Sequence, residues 1–355
     1  LVISHINPDG DTLGSICAMS EVIRNNFKKE CELLCVSKIP KTYEFLPNIS
    51  KIKTLESFDK SREFDLVITV DVAAPDRMGD AKILFDKAKT TINIDHHKTN
   101  PGFAEVNYVE WDAPATGEII YNMLLEMGVS ITREIAKNLY AAISTDTGSF
   151  AYSNVRPATM RIVANLLETG IDHAEISRLL YDTHELETIR YKGKLMESIQ
   201  RYIGGKLCVV LVKKKELLEY GVSERDANDV VNIPRAVKGC EIAVSIREAE
   251  DKIKLSFRSN GKYTVSDIAE HFGGGGAESP YCSFHASYRI RPDGSIQPLP
   301  KRKNTGCCCV KSSEARDFVS QQWSGKASCC DGDEATSSLD AFLQQTVENT
   351  FTVSG

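Results

Sequence analysis

The first 150 residues alternate short apolar runs with amphipathic stretches. The apolar runs have the length and the β-branched character of buried strands: Leu1–Ile6, Cys31–Val36, Leu66–Val70 and Thr91–Ile94. After the first run, apolar side chains recur at helical spacing: Leu13, Ile16, Cys17, Val22 and Ile23. An alternation of strand and helix predicts an α/β fold with a parallel, doubly wound sheet.

Helical periodicity dominates from residue 116 to about residue 202. Four helices are predicted in its first part: Thr116–Met127, Arg133–Ser144, Pro157–Glu168 and Asp172–Leu180. A long mixed stretch, Thr183–Tyr202, then has the pattern of a connecting helix. Beyond it the sequence predicts three strands and a helix: Leu207–Val212, Glu241–Arg247, Lys252–Phe257 and Val265–Phe272.

These patterns divide the chain into four segments. We expect a larger α/β domain over residues 1–184, a connector helix over 185–202, a smaller α/β domain over 203–276 and an atypical tail over 277–355. The 355 residues suit two or three domains.

The tail differs sharply from the rest in composition. Six of the eleven cysteines lie in it, in clusters that do not match the spacing of zinc sites: Cys282, Cys307, Cys308, Cys309, Cys329 and Cys330. The interpretation that we prefer is disorder, and a small thiol module that binds metal is the alternative. A shift of reading frame, a splice variant or a fusion would each produce such a change of composition.

Composition and charge exclude some classes of function. With 42% apolar residues, 26% charged residues and a net charge of −6, the chain has a globular composition. Its mild acidity argues against a protein that holds duplex DNA through a basic face. No apolar run approaches 18 residues, so we expect no membrane span. The five cysteines before residue 277 have apolar neighbours, which predicts reduced thiols in the cytoplasm. The chain begins without Met, so we expect some N-terminal sequence to be missing.

Acidic and imidazole side chains follow three of the predicted strands directly. His5, Asp9 and Asp11 come after the first, Asp71 after the third, and Asp95-His96-His97 after the fourth. Ligands of doubly wound sheets bind beyond the carboxyl ends of the strands. Each acid alone could be a helix cap, but four clusters, with Asp146 as the last, indicate a shared metal site.

The chemistry of these ligands favours particular metals and a particular number of ions. Carboxylates and imidazoles without thiolates favour Mn²⁺, with Mg²⁺, Co²⁺ or Fe²⁺ as alternatives. Two divalent ions would balance the four carboxylates of Asp9, Asp11, Asp71 and Asp146. Two-metal sites support in-line displacement at phosphorus.

The motifs resemble those of the DHH phosphoesterase superfamily, in order, from residue 1 to about 276. The matching segments are His5-x-Asn-Pro-Asp9-Gly-Asp11, Asp71, Asp95-His96-His97 and Thr145-Asp146-Thr147-Gly148. The flanking sequences of Asp71 and Asp146 are most similar to the oligoribonuclease/pAp-phosphatase group.

This resemblance implies roles for the site residues. His5, Asp9 and Asp71 would bind one metal ion. A second ion would be bound by Asp11, Asp71, His96 and Asp146. His97 would contact the scissile phosphate, and Asp95 would orient one of the two histidines.

The smaller domain resembles the substrate-binding domain of the same superfamily. Arg258 and Ser259 end a predicted strand, and Gly273, Gly274, Gly275 and Gly276 form a run whose backbone N–H groups could surround a phosphate. A flexible linker is the alternative for the glycines. The His and final strand that normally follow are replaced here by Ala277-Glu278-Ser279-Pro280, so this domain is expected to be incomplete.

The sequence therefore predicts a phosphoesterase that hydrolyses short oligonucleotides and removes the 3′-phosphate of pAp. Its expected partners are short oligonucleotides and nucleoside bisphosphates, without duplex DNA or membrane, and a homodimer is left open. The alternatives are another enzyme of the superfamily (a pyrophosphatase, polyphosphatase or single-strand exonuclease) or a nucleotide-binding protein with impaired turnover.

Overall fold

A computed structural model describes residues 1–223, 227, 229–248, 252–261, 263 and 265, and the backbone of two later strands. The chain divides into two compact units, Leu1–Thr183 and a second that begins at His184. Among the described residues, no helix has both the length and the apolar character needed to cross a membrane.

The first unit contains a parallel sheet, which confirms the predicted α/β class. Its strands are β1 (Val2–Ile3), β2 (Leu33–Cys35), β3 (Ile52–Thr54), β4 (Leu66–Val70), β5 (Thr90–Asp95) and β6 (Val106–Val109). They lie in the order β3-β2-β1-β4-β5-β6, and every pairing is parallel. The sequence analysis missed β3 and β6, the two edge strands. Edge strands are less enclosed than central ones, so they lack the continuous apolar run by which the others were found.

Six helices of the described chain pack against this sheet or against one another. They are α1 (Gly10–Asn25), α2 (Lys82–Asp86), α3 (Thr116–Glu126), α4 (Arg133–Asp146), α5 (Pro157–Glu168) and α6 (His173–Tyr181). Leu13 and Ile16 of α1, Ile119 of α3 and Leu139 of α4 belong to one buried apolar cluster. This cluster fixes the helices that begin or end at the acidic side chains.

Helix α1 approaches α4 closely because glycines line its contact face. A Cβ at Gly14 would lie 2.4 Å from the backbone oxygen of Asn138, and a Cβ at Gly10 would lie 2.4 Å from the Thr145 side chain. Only glycine fits such an approach. The first turn of α1, which carries Asp11, is thereby held beside the last turn of α4, which carries Asp146.

The second unit is built on a mixed sheet. Its strands are β7 (Gln200–Tyr202), β8 (Leu207–Val212), β9 (Ile242–Glu248), β10 (Lys252–Ser259), β11 (Phe284–Ile290) and β12 (Ile296–Pro298). The order is β12-β11-β10-β9-β8-β7, with β8 and β9 parallel and the other neighbours antiparallel. Its described helices are α7 (Leu186–Glu197), α8 (Lys214–Tyr220) and α9 (Asn232–Arg235).

Segment 185–202 differs from the predicted connector. Helix α7 ends at Glu197 and strand β7 follows it. Tyr191 and Leu195 are buried against Val212 and Leu217. The segment is therefore part of the second unit's core, because its apolar face packs on α8 and β8 instead of spanning two domains.

The expectation of a tail without regular structure is wrong for β11 and β12. Strand β11 pairs antiparallel with β10, and β12 pairs with β11. Phe284, Ala286, Tyr288 and Ile290 alternate with polar residues, which is the period of a strand. The cysteine clusters around this stretch obscured that signal. The rest of the tail, nearly all of the predicted helix Val265–Phe272, and the four glycines lie outside the described residues.

Candidate metal centre

The topology of the first sheet brings the predicted acids and imidazoles to one edge. Strands β1, β4 and β5 are neighbours, and each leads into a polar segment at its carboxyl end. His5 lies two residues after β1, Asp71 directly after β4, and His96 directly after β5. Asp9 caps the N-terminus of α1 and accepts a hydrogen bond from Thr12 N at 3.1 Å.

Three groups of side chains could each hold a metal ion, with ligand atoms within 4.8 Å of one another. The groups are His5–Asp9–Asp71, Asp71–His96–His97 and Asp11–His96–Asp146. Asp71 and His96 each belong to two groups, so the three form one continuous centre. All six residues predicted as metal ligands lie in it.

The His5 ring is oriented to offer one nitrogen to the centre. Its Nδ1 lies 2.8 Å from the Ile6 carbonyl, to which it donates. Its Nε2 lies 3.4 Å from Asp71 Oδ2 and 3.7 Å from Asp9 Oδ2. Burial would lower the pKa of His5, but the two carboxylates outweigh burial and raise it well above its usual value.

His96 is the residue whose surroundings fit a metal ion most clearly. Its Nδ1 lies 3.2 Å from the Ala113 carbonyl, which fixes the ring. Its Nε2 is buried without a hydrogen-bond partner among the described residues. Burial lowers the pKa of this imidazole, which favours the neutral ring.

Three carboxylate oxygens surround this orphaned nitrogen. They belong to Asp146, Asp71 and Asp11, at 3.4, 3.5 and 3.9 Å. A neutral nitrogen lone pair facing several carboxylates has no favourable partner except a cation. The donor set therefore fits a divalent metal.

His97 is held differently from His96. Its Nδ1 lies 2.8 Å from Asp95 Oδ1, and Asn100 donates to the other oxygen of Asp95 at 2.6 Å. Burial would lower the pKa of His97, but the bond to Asp95 prevails and raises it to about 9. The predicted orienting role of Asp95 is thus directed at His97.

Groups in the first turns of two helices donate hydrogen bonds to the buried carboxylates. Asp11 accepts from Thr116 N at 2.6 Å and Gly117 N at 2.9 Å, at the N-terminus of α3. Asp71 accepts from Thr12 Oγ1 at 2.5 Å and Thr116 Oγ1 at 3.3 Å. The sequence analysis missed both threonines; their position in the first turn of a helix was the available signal.

The pKa values of these two carboxyl groups are shifted in opposite directions by their neighbours. Burial, followed by the charges of Asp71 and Asp9, raises the pKa of Asp11 well above its usual value. Burial would do the same to Asp71, but the surrounding histidines lower the pKa of Asp71 instead. Asp71 is therefore the member of the cluster that stays ionised most readily.

The backbone at Asp71 is also unusual. Its φ is +58°, in the left-handed region that few residues other than Gly, Asn and Asp adopt. Strained backbone of this kind is concentrated at functional sites. Here it turns the chain sharply after β4, so the carboxylate faces the other ligands.

A cavity of about 80 Å³ opens at the centre. Its lining consists of His5, Asp9, Asp71, Ala73, Arg77, His97 and Asp146. Arg77 is exposed and brings a cation to an otherwise acidic cavity. A small anionic group could therefore enter beside the carboxylates.

The predicted substrate-binding residues lie in the second unit. Arg258 on β10 donates from one guanidinium nitrogen to the Phe257 carbonyl at 3.0 Å. Ser259 is buried, and its Oγ accepts from Gly261 N at 3.1 Å. Gly273 to Gly276 lie outside the described residues.

Comparison with known proteins identifies the family. Residues 1–143 match the DHH family, N-terminal domain. The chain is 30% identical over 275 residues to the bifunctional oligoribonuclease and PAP phosphatase NrnA of Thermus thermophilus, covering 78% of this chain and 80% of that protein. It is 26% identical to NrnA of Bacillus subtilis, covering 77% and 84%.

A solved structure shares the fold. It is an exopolyphosphatase-related protein from Bacteroides fragilis, with a TM-score of 0.74, 24% identity and coverage of 90% of both chains. At that level of identity the likeness concerns the fold alone. The relatives, the family match and the Asp/His centre together establish that this chain belongs to the DHH family and is a phosphoesterase.

Proposed function

We propose that the protein hydrolyses short oligonucleotides and removes the 3′-phosphate of pAp with two divalent metal ions. The observation that carries this proposal is the orphaned Nε2 of His96 among three carboxylates. The names of the similar NrnA proteins support the proposal of these substrates.

The proposed ligands divide between two ions that share one carboxylate. His5, Asp9 and Asp71 would hold one ion. Asp11, Asp71, His96 and Asp146 would hold the other. Two such ions supply an activated water and charge neutralisation at the phosphoryl oxygens. Mn²⁺ is the proposed metal, since mixed imidazole and carboxylate ligands favour it over Mg²⁺.

His97 is proposed to act on the phosphate. Its Nδ1 donates to Asp95, so the protonated ring presents its Nε2–H outward, and the ring lines the cavity. An imidazolium at this position can donate to a phosphoryl oxygen or to the leaving oxygen as charge develops there.

Phosphate binding is proposed separately for side chains of each unit. Arg77 at the cavity would contact the scissile phosphate, because a guanidinium can donate two hydrogen bonds to one phosphate. In the second unit, Arg258, Ser259 and Gly273 to Gly276 are proposed to bind phosphate. Action in the cytoplasm is part of the proposal and is supported by five buried free cysteines: Cys17, Cys31, Cys35, Cys208 and Cys240.

A parallel assay of four substrates tests the proposal. The full chain with Mn²⁺ is incubated with pAp, the linear dinucleotide pApA, pyrophosphate and a long single strand, and the products are separated. We expect AMP from pAp and from pApA, with at least tenfold lower turnover of the other two. Preferential release of phosphate from pyrophosphate would contradict the proposal, as would preferential degradation of the long strand. An Asp71→Asn variant of the same preparation controls for contaminating nucleases.

A further inference from the structure

The start of helix α5 contacts two separate parts of the centre. Asn154 donates from Nδ2 to the backbone oxygen of Asp146 at 3.0 Å and to that of Pro114 at 3.4 Å. Asp146 is the last residue of α4, and Pro114 follows the residue whose carbonyl fixes His96. One side chain therefore ties the backbone of one proposed ligand, Asp146, to the loop whose Ala113 carbonyl fixes a second, His96.

Arg156 holds the same loop from its other side. Its guanidinium bridges Asp112 at 2.7 Å and Glu118 at 2.5 Å. These acids flank the loop 113–117, which contains the His96 acceptor and the two N–H groups that bind Asp11. Glu118 is 1% exposed, so the carboxylate of this ion pair is buried. All three ligands of the group Asp11–His96–Asp146 thus depend on a segment 154–156 that binds no metal itself.

The group His5–Asp9–Asp71 has no comparable support from the segment 154–156. Asp9 caps α1, and His5 is fixed by its neighbour Ile6. Within the part of the chain that the structure describes, no hydrogen bond joins either residue to Asn154 or Arg156. The segment 154–156 therefore supports one half of the centre, although Asp9 and Asp11 both lie at the start of α1.

We propose that Asn154 and Arg156 are positioning residues for one of the two metal ions, the one bound by Asp11, His96 and Asp146. This inference rests on the proposed function, because it assumes two ions. Groups that orient metal ligands from outside typically contribute 10- to 100-fold to metal affinity. Loss of the Asn154 bonds would leave the backbones of Asp146 and Pro114 free to separate, while the ligands themselves stay present.

The test measures Mn²⁺ binding to metal-free protein by calorimetry, together with the electron paramagnetic resonance spectrum. In Asn154→Ala we expect one ion to bind at least tenfold more weakly and the other to bind within twofold of wild type. With two equivalents of Mn²⁺ per chain, the spectrum should change from that of a spin-coupled pair in wild type to that of a single bound ion in the variant. Asn165→Ala is the matched control, since Asn165 on α5 donates to Tyr121 at 2.9 Å away from the centre, and it should keep both affinities.

A second variant separates positioning from folding. Arg156→Gln alone leaves Glu118 as an unpaired buried charge, which can unfold a protein, so Glu118→Gln and Arg156→Gln are combined. The double variant should unfold cooperatively and show the same loss of one ion. Two ions bound with wild-type affinities in both variants would overturn the positioning role alone. A wild-type chain that binds fewer than two ions would overturn the proposed function as well.

Discussion

Asp71 is the residue on which both halves of the proposed centre depend. It belongs to two of the three groups of possible ligands, lies 3.5 Å from His96 Nε2 and accepts hydrogen bonds from Thr12 and Thr116. Replacement by Asn suits the left-handed backbone at this position better than Ala does. We expect Asp71→Asn to lower kcat by at least 100-fold and to reduce bound Mn²⁺ below two per chain.

The matched control for this substitution is Asp76→Asn, on the exposed segment that follows the same strand. It removes the same charge without removing a proposed ligand, so activity should stay within twofold. Metal content is measured by elemental analysis after gel filtration. Turnover by Asp71→Asn above a tenth of the wild-type value would contradict the bridging role.

His96 and His97 are neighbours with different expected functions. His96 faces three carboxylates through a neutral nitrogen, so His96→Ala should lose metal. His97 is bound to Asp95 and lines the cavity. His97→Ala should therefore keep both ions while kcat falls by roughly 10²- to 10⁴-fold, as for loss of a general acid. Equal loss of metal in the two variants would show that the assignment is wrong.

The pair of His97 and Asp95 also predicts how the metal-free protein responds to pH. The folded pKa of His97 is raised to about 9 from 6.5, because Asp95 outweighs the burial that would lower it. A raised pKa stabilises the fold fully below pH 6.5, and this contribution is lost as the pH rises through about 9. We expect the difference in unfolding free energy between wild type and His97→Gln to shrink from pH 6 to pH 9.5. A difference that grows with pH would contradict this prediction.

Among the elements, the close contact of α1 and α4 brings Asp11 near Asp146. A Cβ at Gly14 would lie 2.4 Å from Asn138 O, so Gly14→Ala must separate the helices. We expect a loss of about 1–3 kcal/mol in stability, as for other overpacked cores, with weaker metal binding. Chemical denaturation and calorimetry measure the two effects.

The matched control is Gly193→Ala on α7, where a Cβ would meet nothing within 4 Å. Alanine should stabilise this helix slightly, since glycine costs about 1 kcal/mol in a helix interior. Equal destabilisation by the two substitutions would show that the Gly14 contact does not determine the helix separation.

At the scale of the whole molecule, the sequence predicted those structural features whose pattern has a single physical interpretation. The apolar runs before Asp71 and His96 predicted the parallel sheet and the edge at which their ligands meet. The hydrogen bonds from Thr12 and Thr116 to Asp71 and from Asn154 to Pro114 join residues far apart in the chain, so the sequence did not identify the partners. Strand Phe284–Ile290 was missed although its alternation was visible, because the clustered cysteines led to an interpretation as unselected sequence.

The central claim is that this chain is a phosphoesterase that needs two metal ions at one centre. It is tested most directly by titrating metal-free protein with Mn²⁺ while measuring both bound metal and hydrolysis of pApA. We expect little turnover with one equivalent and full turnover once a second equivalent is bound. Full activity with one equivalent, or hydrolysis by the metal-free protein, would contradict the claim.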